Sequence, residues 1–202
     1  MSPTETRSWR TLLEGQPHLQ GTIGSREAAA DRIRTFQPLI VPGLLQSRDY
    51  AERVFGMFQV PYTAAVLAEA LAARIQRQDV LTKGGTFDFL IHEAALRWCP
   101  GPRELLAAQL DRIVEIGSTI DAVSIAVIPA DGAAVVAVPH GFVIYNAGGV
   151  AEVSVETVHA SVEVTEPADV FLYTVQWAEL DRPALHGDDA LDFIAARARD
   201  LR

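Results

Sequence analysis

FDFLIHEAALRW, Phe87–Trp98, is where the character of the sequence changes. Up to Leu81 the apolar residues recur at three- and four-residue spacing. From there Phe87, Phe89 and Ile91 alternate with Asp88, Leu90 and His92. Alternation is the period of a strand, whose successive side chains face opposite sides. Glu93–Arg97 then starts a short helix or turn, stopped by Pro100-Gly101-Pro102. Helices before this stretch and strands after it make the chain α+β.

Working upstream, Ser8–Glu14 reads as a short helix in an irregular arm over 1–24. Ser25 reads as the N-cap of a helix to Phe36, ended by Pro38. Val41-Pro42-Gly43 is a turn, Ser47 caps a helix over Arg48–Met57, and Thr63 caps an amphipathic helix to Leu81. Gly84-Gly85 stops it. Downstream, Arg103–Ile116 restores helical spacing through Leu105, Leu106, Gln109, Leu110 and Ile113. Ala122–Ile128, Gly141–Tyr145, Val153–Val158 and Ser161–Thr165 read as strands, Asp169–Leu180 as a helix, and a last helix follows Gly187-Asp188. The expected architecture is one α+β domain over 25–202. Its helical half (25–116) packs with a sheet-rich half (117–202), giving a mixed, mainly antiparallel sheet of about five strands and a C-terminal helix.

Of the 202 residues, 49% are hydrophobic and one is cysteine, and the net charge is -9. Residues 1–110 carry 12 basic and 11 acidic side chains, whereas 111–202 carry 5 and 15. From Ile113 to Asp181 there is no Lys or Arg, and ten acids occur. Phosphate contacts need clustered cations, so nucleic acid is disfavoured as a partner. Cys99 alone makes neither an intrachain disulfide nor a multi-cysteine zinc site, and no metal or cofactor is expected. No apolar run reaches membrane length, and the start MSPTETRSWRTLLEG lacks the apolar core of a secretory signal; a cytoplasmic protein is expected. The strands between Ile113 and Asp181 have no basic residue to guard their edges, which predicts either covered edges or a homodimer.

PGLLQ (Pro42–Gln46), DYA (Asp49–Ala51), ARIQRQDVL (Ala73–Leu81), FDFLIHEAALRW, AAQLDRI (Ala107–Ile113), SIAVIP (Ser124–Pro129), GFVIYN and VSVET occur in that order. Together they resemble the actinobacterial regulator-associated family called domain of unknown function 5753, over about residues 25–200. In many members that domain follows a helix-turn-helix in antitoxin-like transcriptional regulators. Residues 1–24 are too short for the helices such a unit needs, so the resemblance implies a regulatory domain here without that DNA contact. ADGAAVVAVPHG (Ala130–Gly141) is more apolar than the polar stretch family members often carry there.

Pro42, Gly43, Leu44, Leu45, Gln46 and Tyr50 read either as the rim of a ligand site, with Gln46 and Tyr50 as polar tips, or as a structural joint. Arg74, Arg77 and Gln78 share a helix: they clamp a carboxylate, or they salt-bridge the acidic half. Trp98 completes this ligand-binding set. His92 and Glu93 end a strand, where catalysis is best sought, but adjacent strand residues face opposite sides and Glu93 equally suits a helix start. His140 and Glu156 supply the minimum for acid–base work, if they meet. Asp188-Asp189 lacks calcium-loop periodicity, and no P-loop, dinucleotide fingerprint, HExxH or GxSxG occurs. Two functions follow as expectations. The first is a stand-alone regulatory or sensor module that binds a small apolar ligand or a partner protein, without DNA binding of its own. The alternative is a small biosynthetic enzyme of cyclase or isomerase type, with a hydrophobic substrate in an apolar pocket.

Overall fold

The computed structural model describes residues 4–8, 19–57, 63–132, 136–137 and 140–202. Their strands are β1 (Thr4–Ser8), β2 (Arg32–Gln37), β3 (Thr86–His92), β4 (Val123–Ile128), β5 (Phe142–Ala147), β6 (Val150–Glu156), β7 (Ala160–Val164) and β8 (Leu185–His186). Their helices are α1 (Leu19–Ala29), α2 (Arg48–Phe55), α3 (Ala64–Arg77), α4 (Glu93–Arg97), α5 (Arg103–Thr119), α6 (Pro167–Asp181) and α7 (Gly187–Asp200). The chain is α+β, with one mixed sheet in the order β1-β7-β6-β5-β2-β3-β4-β8. β2, β3 and β4 run parallel to one another, and the other pairings are antiparallel. The sheet therefore has eight described strands rather than about five. Among the described residues no helix is long and apolar enough to cross a membrane.

The largest departure from expectation is at Ser25–Phe36. α1 ends at Ala29, Ser25 lies inside it, and β2 follows. Ile33 and Phe36 are three apart, which suggests a helix face. In the strand they instead enter different cores, Ile33 on one side of the sheet and Phe36 on the other. β2 pairs with β3 and β5, so a missed strand lies near the middle of the sheet. The helix expected over Ser8–Glu14 lies, past Ser8, outside the described residues, as does most of Ala133–Pro139.

Local signals set the remaining elements. Ser47 and Thr63 accept hydrogen bonds from the backbone N–H groups of Tyr50 and Val66, so each caps its helix. Gly148 and Gly149 both have positive φ (55° and 82°), the backbone that a two-residue hairpin between β5 and β6 requires. α5 and α7 cover one face of the sheet against Phe87, Phe89, Ile91, Ile125 and Val127. α6 covers the other face through Val170, Trp177 and Leu180, against Leu90, Phe142, Ile144 and Val153. Of the strands without basic residues, β5, β6 and β7 have a neighbour along both sides, and β4 is paired on its outer side by β8 at Ala126 and Val127.

Candidate functional site

The PGLLQ segment forms a 3₁₀ turn over Gly43–Leu45 between β2 and α2. Apart from Gly43 its residues are buried, and Gln46 and Tyr50 are 1% and 0% exposed. The expected polar tips therefore point inward. Gln46 donates from Nε2 to the Val41 carbonyl (2.8 Å) and accepts at Oε1 from Arg74 (2.9 Å). Gln78 donates to the Gln46 carbonyl (2.6 Å) and accepts from Arg112 of α5 (2.7 Å). Gln109, fully buried on α5, donates to the Leu45 carbonyl (2.8 Å) and accepts from the Ser47 N–H (2.6 Å). The turn's polar backbone would otherwise be orphaned in an apolar core. Three glutamines satisfy it, and Arg74 and Arg112, by donating to two of those glutamines, help lock the turn to α3 and α5. The Arg74 guanidinium also lies 4.3 Å from the centre of the Phe55 ring. Trp98 meets Tyr50 edge to face with centroids 6.5 Å apart. Burial pushes the Tyr50 phenol up to about 12, the Val41 backbone N–H pulling partly the other way.

Arg77, one turn on from Arg74, reaches α1 instead. It donates from Nε to Glu27 Oε2 (2.8 Å) and from its terminal nitrogen to Oε1, a two-pronged pair between α1 and α3. Both side chains are nearly enclosed, with relative exposures of 11% and 5%. Arg77 thus finds its carboxylate in α1 and not in the acidic half of the chain. Gly24 lies close by: a Cβ there would sit 3.1 Å from the Arg77 stem, which would have to shift by a few tenths of an ångström. Beside the pair, α1, α3 and the Gly84-Gly85 turn enclose a groove of about 630 Å³. Its lining combines small apolar residues (Ala28, Ala29, Ala30, Ala73, Val80) with Arg77, Gln76, Asp79, Lys83 and Asp31. A smaller cavity of about 310 Å³ beside β4 contains Arg32, Asp88, Trp177, Asp181 and His186. Two of its charges already face each other, Arg32 Nε lying 2.6 Å from Asp88.

The four acid–base candidates do not converge. His92 caps α4, its Nδ1 accepting from the Ala94 N–H (3.1 Å). Glu93 is buried, accepts at Oε2 from the Ala130 N–H (2.7 Å), and pairs with Arg97 through Oε1 (2.6 Å). His140 lies against Tyr173 of α6, with ring centroids 6.0 Å apart. Glu156 is exposed and shares the opposite sheet face with Ser154 and Tyr145. Among the described residues, no group of three or more His, Cys, Asp or Glu is placed to hold a metal ion.

A protein-family model, Domain of unknown function (DUF5753), matches residues 20–196. The chain belongs to the DUF5753 family. No curated protein matches it. Among solved structures it is similar to a phospholipase D family member, Nuc from Salmonella typhimurium, at 13% identity and a TM-score of 0.44. That match covers 91% of this chain and 97% of the other. So distant a likeness carries nothing about function.

In this DUF5753 chain the residues that sequence reasoning missed are Glu27, Gln109 in its bridging role, and Arg112. Gln109 did leave a signal, since it occupies an apolar position of an amphipathic helix. Glu27 left none, because its partner stands fifty residues away. Glu93 lends itself to a pH test. Burial alone would raise its carboxyl, but the Ala130 N–H and Arg97 outweigh burial and hold it below the usual range. A depressed carboxyl stabilises the fold above the unfolded value, about 4.3, and loses that contribution as pH falls through the folded value. Glu93→Gln is therefore expected to flatten the acid limb of stability between about pH 5 and 3, read by urea midpoints. An unchanged acid limb would remove Glu93 from this role.

Proposed function

We propose that this DUF5753 domain is a non-catalytic regulatory module that senses a small molecule in the groove between α1 and α3. The groove carries this reading. Its volume lies in the range of small-molecule sites, and its lining combines small apolar residues with a few polar groups. Arg77, from the RIQRQ segment, lines it, already oriented by Glu27. The preferred ligand has a flat or narrow apolar body, which the alanine lining accepts, and one polar end for Gln76 or Lys83. The module works in the cytoplasm and makes no DNA contact of its own. The enzyme reading draws no support from geometry, since His92 and Glu93 are spent on a cap and a loop tie, and His140 and Glu156 occupy different faces.

The test is a thermal-shift screen of purified protein against a metabolite panel, followed by mass spectrometry of each compound that raises the unfolding midpoint. A stabilising compound recovered chemically unchanged after long incubation is expected. Conversion of that compound at catalytic enzyme concentration would overturn the non-catalytic reading, and a panel with no stabilising compound would count against sensing.

A further inference from the structure

α6 has two apolar sides, yet only one is covered. Val170, Tyr173, Trp177 and Leu180 pack on the sheet. On the outer side Phe171 and Leu172 are each 64% exposed and Val175 is 43% exposed. Ala168 and Ala178 are exposed beside them at helical spacing, so the five side chains form one stripe. Single exposed hydrophobes are ordinary; a contiguous stripe on a helix that could have been polar there marks an interaction surface.

The charges around the stripe say what fits it. Glu166 and Asp169 stand at its start, and Glu179 at its far end is held by Arg182. Within the run that includes α6, Ile113 to Asp181, no Lys or Arg occurs, and Arg34 of β2 lies 5.9 Å from the Trp177 ring on the covered side of the helix. We propose that the outer face of α6 docks an amphipathic helix of a partner protein whose apolar stripe is flanked by lysine or arginine. Such a helix lays its apolar side on Phe171, Leu172 and Val175 while its cations meet the acidic surround. A second copy of this chain is a poor occupant, because its matching face offers only Arg182 as a cation, already held by Glu179. The surface lies on the opposite side of the sheet from α1 and its groove, so it stands or falls independently of the ligand reading.

The probe is a fluorescein-labelled synthetic amphipathic helix, leucine-striped and lysine-flanked, with a glutamate-flanked version as its control, read by fluorescence anisotropy. Binding of the lysine peptide that weakens with salt is expected, with the glutamate peptide at least about tenfold weaker. Phe171→Asp and Val175→Lys are each expected to weaken the lysine peptide by about tenfold or more, with no change in unfolding midpoint. Equal binding of both peptides, binding untouched by these substitutions, or no binding would overturn the proposal. Sedimentation showing a wild-type dimer that Phe171→Asp dissociates would assign the stripe to a second copy instead, and would overturn it too.

Discussion

Replacing Gln109 by methionine lowers the thermal unfolding midpoint by about 10 °C, the first of two large expected effects. Methionine conserves volume, so the loss comes from hydrogen bonds. The buried Leu45 carbonyl and the part-buried Ser47 N–H each lose their Gln109 partner. Each unsatisfied buried group costs about 1–3 kcal/mol, so the pair costs about 4 kcal/mol. In a domain of this size each kcal/mol moves the midpoint by about 2–4 °C. The Ser47 N-cap of α2 is next to the damage, so amide hydrogen exchange should show fraying there first. Differential scanning calorimetry reads the main effect. A midpoint within about 2 °C of the wild type would mean that the PGLLQ turn is held by packing alone.

The second large effect comes from Arg77→Met. The substitution strands the Glu27 carboxylate between α1 and α3, and breaking a buried pair from one side costs about 3–5 kcal/mol. Glu27→Gln on its own leaves Arg77 partly able to reach water along the groove, so its cost is smaller. The double variant Glu27→Gln/Arg77→Met should recover much of the loss, since no unpaired charge remains. Urea unfolding of the three variants completes a thermodynamic cycle. A cycle with no coupling would contradict the pairing.

Much of the fold could be read locally. Ser47 and Thr63 announce their helices because a cap is a contact with the next turn, and Phe87–His92 announces a strand by its alternation. β2 could not be read that way. Its Ile33 and Phe36 are each defined by a different core, built from residues distant in sequence. β1 and β8 are short edge pairings, set by β7 and β4 more than by their own composition. At the candidate site, Arg77 was legible as a residue seeking a carboxylate. Which carboxylate was not legible, since the packing of α1 on α3 decides it. Gln46 and Tyr50 looked like rim residues because their polarity is visible in sequence and their burial is not. The Val41 carbonyl and Arg74, neither of which can be recognised as its partner from sequence, are what satisfy the buried Gln46 amide.

The groove itself is best tested by isothermal titration of the stabilising compound into wild-type protein, Ala73→Trp and Ala28→Trp. Each tryptophan replaces a lining alanine and takes up groove volume from a different helix, while the Glu27–Arg77 pair is left in place. Loss of measurable heat in both variants, with unfolding midpoints close to wild type, is the expected result. Undiminished binding in both folded variants would contradict a ligand site between α1 and α3.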